Sequence, residues 1–384
     1  MSSFGHSVRD RFAIDPEVVF LNHASFGATP RSVTAARRAE EDALEAQPVD
    51  YLVRAPARIQ GVMEALAPVF GAPAAELLPV DNATTGVTAV LRSLSLGPGD
   101  AILTTNLAYA AVKKVIRFVA ERTGCSVVTA EVPFPLTSPD EVLVAVDAAL
   151  AGPGGGSVRV AVIDHITSVT GLILPVESLV ARLHARGVHV LVDGAHVPGQ
   201  LPLDVTAIGA DWYVGNLHKW LFSPKGCAVL HAAPQAQKAL APLVISHGWG
   251  DDLQAAFAWQ GTRDPTGWLA VPAALDFVDA MGGLALIRDH NRTLAHQGAT
   301  IVRDHTGFAP GAPLGMCPAL VSLVVPGPSS PERAKTLVLR MLHEHRVQSF
   351  VMPIDGGVVV RVCAQIYNAP ADYERLARAL EACT

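Results

Sequence analysis

The chain has 384 residues, half of them hydrophobic and 17% charged, a charge fraction well below the roughly 25% of typical soluble domains. That balance excludes a disordered chain, which would be poor in apolar residues and rich in charge, and the length suggests a large domain with a smaller one. With 29 Lys and Arg against 35 Asp and Glu the net charge is −6. No basic footprint for nucleic acid is present, and no apolar run of about 18 residues offers a membrane span.

The opening MSSFGHSVRDRF has no apolar stretch of signal-peptide type. Residues 29–47 read as one long helix entered at Pro30. From about residue 75 to 230, short apolar runs alternate with amphipathic stretches. The runs are Leu77–Val80, Ala101–Thr105, Ser126–Val132, Val158–Asp164, Val188–Asp193, Trp212–Val214 and Cys227–His231. They are rich in Val, Ile and Leu and nearly continuous, as strands covered on both faces should be. Between them, Ser138-Pro139-Asp140-Glu141 is a helix start: Ser as N-cap, Pro at the first position, Glu at the third. That helix ends on Gly152. The stretch GPGGGS at 152–157 lacks the Lys-Ser/Thr of a phosphate loop and reads as a turn. A second helix, Pro175–Arg186, ends at Gly187, a left-handed C-cap.

This alternation predicts an α/β fold with a mainly parallel sheet and helices on both sides. Residues 47–57 and 246–259 read as loops. Residues 265–300 read as helical. Strands near Leu320–Val325 and Val358–Val362, with helices at 331–345 and 371–382, predict a smaller α+β C-terminal domain. The expected organisation is an N-terminal segment, 1–40, packing with the small domain, a large domain at 41–264 and the small domain at 265–384. The cysteines are Cys125, Cys227, Cys317, Cys363 and Cys383. Their odd number and the lack of CxxC spacing argue against a disulfide framework and a structural zinc site, so no metal is expected. A reducing cytoplasm is the expected compartment.

Three segments fall at strand ends, where open α/β sheets bind ligands. Asp81-Asn82-Ala83-Thr84-Thr85-Gly86 joins a strand to a helix and offers backbone N–H groups and hydroxyls to an anion; alone it is an ordinary polar cap. Val188–His196 delivers Asp193 at the end of a buried strand; alone, Asp193-Gly194 is a turn. Asp211–Trp220, followed by Gly226, places Lys219 after an apolar run, where a lysine either snorkels or is used chemically.

Together the three resemble one family, the class V aminotransferase group of fold-type-I pyridoxal-phosphate (PLP) enzymes. That group includes cysteine desulfurases, selenocysteine lyases, kynureninase and isopenicillin N epimerase. The segments Leu21–Pro30, Asp81–Gly86 and Gln260-Gly261-Thr262-Arg263-Asp264 look most like the isopenicillin N epimerase branch.

The resemblance implies roles residue by residue. Lys219 would carry PLP covalently and, once displaced, act as base for the substrate α-proton; a desolvated lysine is nucleophilic as the neutral amine. Asp193 would face the pyridine nitrogen and keep it protonated. His196, where relatives often have Gln, would bond the phenolic oxygen. Tyr109, where many relatives have His, would stack on the ring, and its hydroxyl offers an acid on the face opposite Lys219. Ala83, Thr84 and Thr85 would hold the phosphate, helped by His218 and by Asn216, where relatives usually have Ser. Thr262 would reach the phosphate of a neighbouring subunit, which implies a homodimer with a shared active site. Arg361 would grip the substrate carboxylate bidentately. Asn22, His23 and Ser168 would approach substrate.

A persulfide-forming desulfurase needs a nucleophilic cysteine on a loop ahead of the carboxylate arginine. Residues 341–360 contain none, and Cys363 falls within an expected strand. The first expectation is therefore epimerisation or racemisation at an amino-acid α-carbon. A β-eliminating C–S lyase or an aminotransferase is the alternative. A non-enzymatic binding module is a third, against which the Lys219 and Asp193 pair argues.

Overall fold

Seven apolar runs of the sequence become the seven strands of one sheet. The computed structural model describes residues 4–384; the first three residues of the expected N-terminal segment lie outside the described residues. After the short β1 (Val19–Phe20) come β2 (Leu77–Val80), β3 (Ala101–Thr105), β4 (Ser126–Ala130), β5 (Val158–Asp164), β6 (His189–Asp193), β7 (Trp212–Asn216) and β8 (Ala228–Ala232). The sheet order is β2-β8-β7-β6-β5-β3-β4. Only β8 runs antiparallel to its neighbours. Side chains alternate between two cores. Val160, Val162 and Leu191 enter one, while Ala161, Ile163, Val190 and Val192 enter the other. Each fully buried Val, Ile or Leu contributes about 1.5–3 kcal/mol, and the doubled cover explains the near-continuous apolar runs. The edge strand β4 is the exception, with Ser126, Val127 and Thr129 exposed.

The helix start at Ser138 forms as its sequence predicts, one residue later. The Ser138 hydroxyl accepts from the Asp140 N–H at 3.1 Å, and the Glu141 carboxylate accepts from the Thr137 N–H at 2.7 Å. Residues 47–57 are a correction. They belong to a long helix, Pro48–Phe70, with Tyr51, Ala55, Ile59, Val62, Met63, Leu66 and Phe70 buried along one face. Two internal prolines, Pro56 and Pro68, hide the periodicity, but each removes only one ladder bond and the buried face outweighs it. Residues 246–259 likewise contain a short helix, Leu253–Ala258, capped by the Asp252 carboxylate. Residues 265–300 divide into helices Thr266–Leu269, Val271–Ala280 and Gly283–Thr306. The last break falls at Gly282 and Gly283, both at positive φ.

The C-terminal part holds β9 (Ala309–Pro310), β10 (Leu320–Pro326), β11 (Val347–Gln348), β12 (Phe350–Ile354) and β13 (Gly357–Cys363). A four-stranded antiparallel sheet has the order β12-β13-β10-β9. The strand β12 carries Pro353 and was not legible as a strand. Parallel pairing of β1 with β11 joins the N-terminal segment to this part of the chain. Among the described residues no single helix is long and apolar enough to cross a membrane.

Candidate active site

A cleft of about 400 Å³ opens where the large sheet ends. Its lining comes from five strand ends: Asp81, Asn82, Ala83 and Thr84 after β2, Tyr109 after β3, Asp164 to Ser168 from β5, Asp193 to His196 from β6, and Asn216 to Lys219 from β7. Parallel strands direct their carboxyl ends to one side, so residues far apart in sequence converge there.

Lys219 follows β7 and reaches into the cleft, its Nζ 2.9 Å from His196 Nε2. Burial pushes its amine down to about 7; Arg361 acts in the same sense, while the carboxylates of Asp193 and Asp164 oppose it. A large neutral fraction near pH 7 is what a nucleophilic lysine needs. His196 is buried and, chiefly through burial and then the Lys219 charge, held far below the usual imidazole range. It is therefore neutral, and its Nδ1 is buried without a hydrogen-bond partner. Asp193, at the end of β6, accepts from the Ala195 N–H at 3.0 Å. Burial raises its carboxyl, and Lys219 opposes this.

The N-terminus of the helix Ala83–Ser93 points at the same space, so its dipole favours a phosphate there. Ala83 and Thr84 line the cleft. The Ala83 N–H donates to the Asn216 side-chain Oδ1 at 2.9 Å. Thr85 is one turn deeper: its N–H and hydroxyl both go to Asn82 Oδ1, at 2.9 and 3.2 Å, and it does not line the cleft. His218 lines the cleft with Nδ1 3.2 Å from the Cys227 carbonyl, and burial lowers it to about 4.

Arg361 stands on β13, 1% exposed, just behind the cleft wall. Its guanidinium donates to the Ser168 carbonyl, to Ser25 Oγ at 3.2 Å and to Asn22 Oδ1 at 3.4 Å, and its Nε has no partner. Burial lowers it to about 10, so it stays a cation at neutral pH. Ser25 and Ser168 both face the cleft.

His23 is placed differently from the substrate contact the sequence suggested. It is buried behind the lysine, donates from Nε2 to the Lys219 carbonyl at 2.6 Å and meets the Tyr367 hydroxyl at 2.9 Å through Nδ1. Burial holds it near 3, hence neutral. Gly27 permits this docking. A Cβ there would lie 1.9 Å from the His218 carbonyl oxygen, and its φ is +70°, so only glycine lets the segment lie against the lysine peptide. Asn22 likewise serves Arg361 and Ser25 from outside the cleft lining. Thr262 is also outside the lining. Its neighbour Arg263 meets Asp81 at the cleft edge, 3.2 Å away.

Sequence reasoning missed Ser25, Phe26, Asp164 and Lys225, all of which line the cleft. For Asp164 the signal was available, since Val158–Asp164 ends in a carboxylate just as Val188–Asp193 does.

The lysine, the strand-end carboxylate, the orphaned imidazole nitrogen and the helix N-terminus fit PLP: an aldehyde to capture, a ring nitrogen, a phenolic oxygen and a phosphate. A doubly wound sheet carrying that set defines a fold-type-I PLP enzyme. The aminotransferase class-V family profile matches residues 19–327. A putative L-cysteine desulfhydrase 1 of Oryza sativa subsp. japonica is 36% identical, over 94% of this chain and 82% of its own. Isopenicillin N epimerase of Streptomyces clavuligerus is 33% identical, over 98% and 97%. A solved variant of C-DES, with glycine covalently linked to its PLP cofactor, superposes with a TM-score of 0.83 at 22% identity, over 97% and 98%. The chain belongs to the class-V aminotransferase family and is a PLP-dependent enzyme.

We propose Lys219 as the residue that captures PLP, as its neutral amine. The capture rate in cofactor-free protein should therefore rise about tenfold per pH unit below about pH 7 and level off above. Stopped-flow absorbance measures this, and a profile with no break near pH 7 would remove Lys219 as the titrating nucleophile.

Proposed function

We propose that the protein is a β-eliminating C–S lyase acting on cysteine or a similarly small thiol amino acid. The carrying observation is the composition of the cleft. It places Lys219 beside two buried strand-end carboxyls, Asp164 and Asp193, and no thiol lines it. The name of the 36% identical rice relative supports the reading.

Bound PLP supplies the electron sink that makes the substrate α-proton acidic. Lys219 takes that proton, and neutral His196 beside its Nζ keeps the amine aimed without competing for charge. Asp193 holds the proton on the pyridine nitrogen. Arg361 fixes the substrate carboxylate, exchanging its bonds to Ser25 and Ser168 for it. The Cβ–S bond breaks with its electron pair leaving on sulfur, and the Lys219 ammonium returns a proton to it. Cysteine plus water gives sulfide, ammonia and pyruvate. No cysteine lines the cleft; all five thiols are free and buried, and burial lifts the Cys363 thiol to about 11. A persulfide relay therefore has no nucleophile, and sulfur leaves directly. The free thiols also support a cytoplasmic location.

Epimerisation is the second reading. Tyr109 favours it, because its ring lines the cleft and its hydroxyl can return a proton on the other face. Incubation with a panel of amino acids in D₂O separates the two. Pyruvate and sulfide from cysteine support elimination; recovered amino acid deuterated and racemised at Cα, without pyruvate, overturns it. We further propose a homodimer in which Thr262 completes the partner's phosphate site. Its absence from its own cleft and the exposure of Phe26 at the cleft wall (72%) support this. A stable, active monomer in sedimentation would refute it.

A further inference from the structure

Asp164 and Asp193 are direct register partners on the adjacent parallel strands β5 and β6. Neighbouring strands lie about 4.8 Å apart, and register partners point to the same face. Both residues are 4% exposed and both line the cleft. The surroundings do not neutralise two charges. The Asp164 carboxyl receives its own backbone N–H and that of Tyr109, and beyond Asp193 the nearby charge is Lys113, on the helix Ala110–Thr123. The Lys113 amine is already bonded to the Asn106 carbonyl. Asp193 receives the Ala195 N–H, and among the described residues Lys219 is the one cation that faces both acids. Two buried carboxyls at this spacing do not both ionise; one keeps a proton. Burial and the Asp193 charge push Asp164 furthest above the carboxylate range.

We propose that Asp164 is a positioning residue: as the neutral member of a carboxyl pair it carries the shared proton and holds Asp193 as the single carboxylate presented to the cofactor ring nitrogen. Through the Tyr109 N–H it also fixes the start of the segment whose ring forms the opposite wall. The inference holds for elimination and for epimerisation alike, because both use the same cofactor seat.

The test uses the PLP-loaded protein. At neutral pH its infrared spectrum should contain the C=O stretch of a buried neutral carboxylic acid, shifted in D₂O and lost in Asp164→Asn. Asn mimics the protonated acid, so Asp164→Asn should keep the PLP dissociation constant within about threefold of wild type. Asp164→Ala, which leaves the Tyr109 N–H unpaired, should weaken it about tenfold. Asp193→Asn should weaken it more than either. A wild-type spectrum without the band overturns the proposal without any variant. So does a band that survives Asp164→Asn, or an Asp164→Asn variant that loses PLP as severely as Asp193→Asn.

Discussion

Lys219→Ala is expected to abolish the visible absorbance of the PLP-loaded enzyme and to lower turnover about a thousandfold or more, the range set by losing a positioned base. The proposed anchor and the proposed base are one atom, so both readouts should fall together. The fold should survive, because among the described residues the only side-chain partner of Nζ is His196. The shift of the Lys219 amine makes stability depend on pH. The folded protein lowers Lys219 to about 7, below the ordinary lysine value of about 10.4. Between those values the unfolded chain binds more protons, so this group makes stability rise with pH across that window. Lys219→Ala removes that slope. Thermal melts of cofactor-free protein from neutral to alkaline pH should be flatter for the variant than for wild type. Retained visible absorbance in Lys219→Ala would overturn the assignment of the anchor.

Arg361→Ala should raise KM about a hundredfold or more, since loss of one partner of a buried, hydrogen-bonded charge pair costs about 2–5 kcal/mol. PLP affinity should change far less. Arg361 also ties the Ser168 carbonyl to Asn22 and Ser25 and lies over the Phe350 ring, 3.5 Å from its centroid, so Ala could act by loosening the N-terminal segment. Arg361→Lys separates the effects. It keeps the charge and much of the packing but loses the planar fork, and it too should raise KM, with little change in melting temperature. A KM unchanged in both variants removes Arg361 from the substrate site.

Much of the sheet was legible because strands covered on both faces read as nearly continuous apolar runs: β2, β3 and β5 were readable from composition nearly to the residue. The helix Pro48–Phe70 was not, because Pro56 and Pro68 are local breakers, and only tertiary burial offsets a cost of about 3 kcal/mol for an interior proline. Strand β12 failed for the same reason at Pro353. In the site, Lys219, Asp193 and His196 were legible because each ends a run or sits beside one that does. Asp164 carried the same mark, but without the register nothing in the sequence sets it beside Asp193.

Sequence alone determined the chemistry class. The lysine, the carboxylate and the small-residue helix start, each bland alone, together carry the family resemblance that names that class. Only the tertiary structure decided partnership. It took His23 from the substrate to the lysine peptide, turned Thr85 from phosphate donor to Asn82 partner, set Arg361 behind Ser168, and joined two acids into one pair. Those assignments depend on distances between segments up to hundreds of residues apart, and on how far burial shifts a charge. Neither quantity exists until the chain is packed.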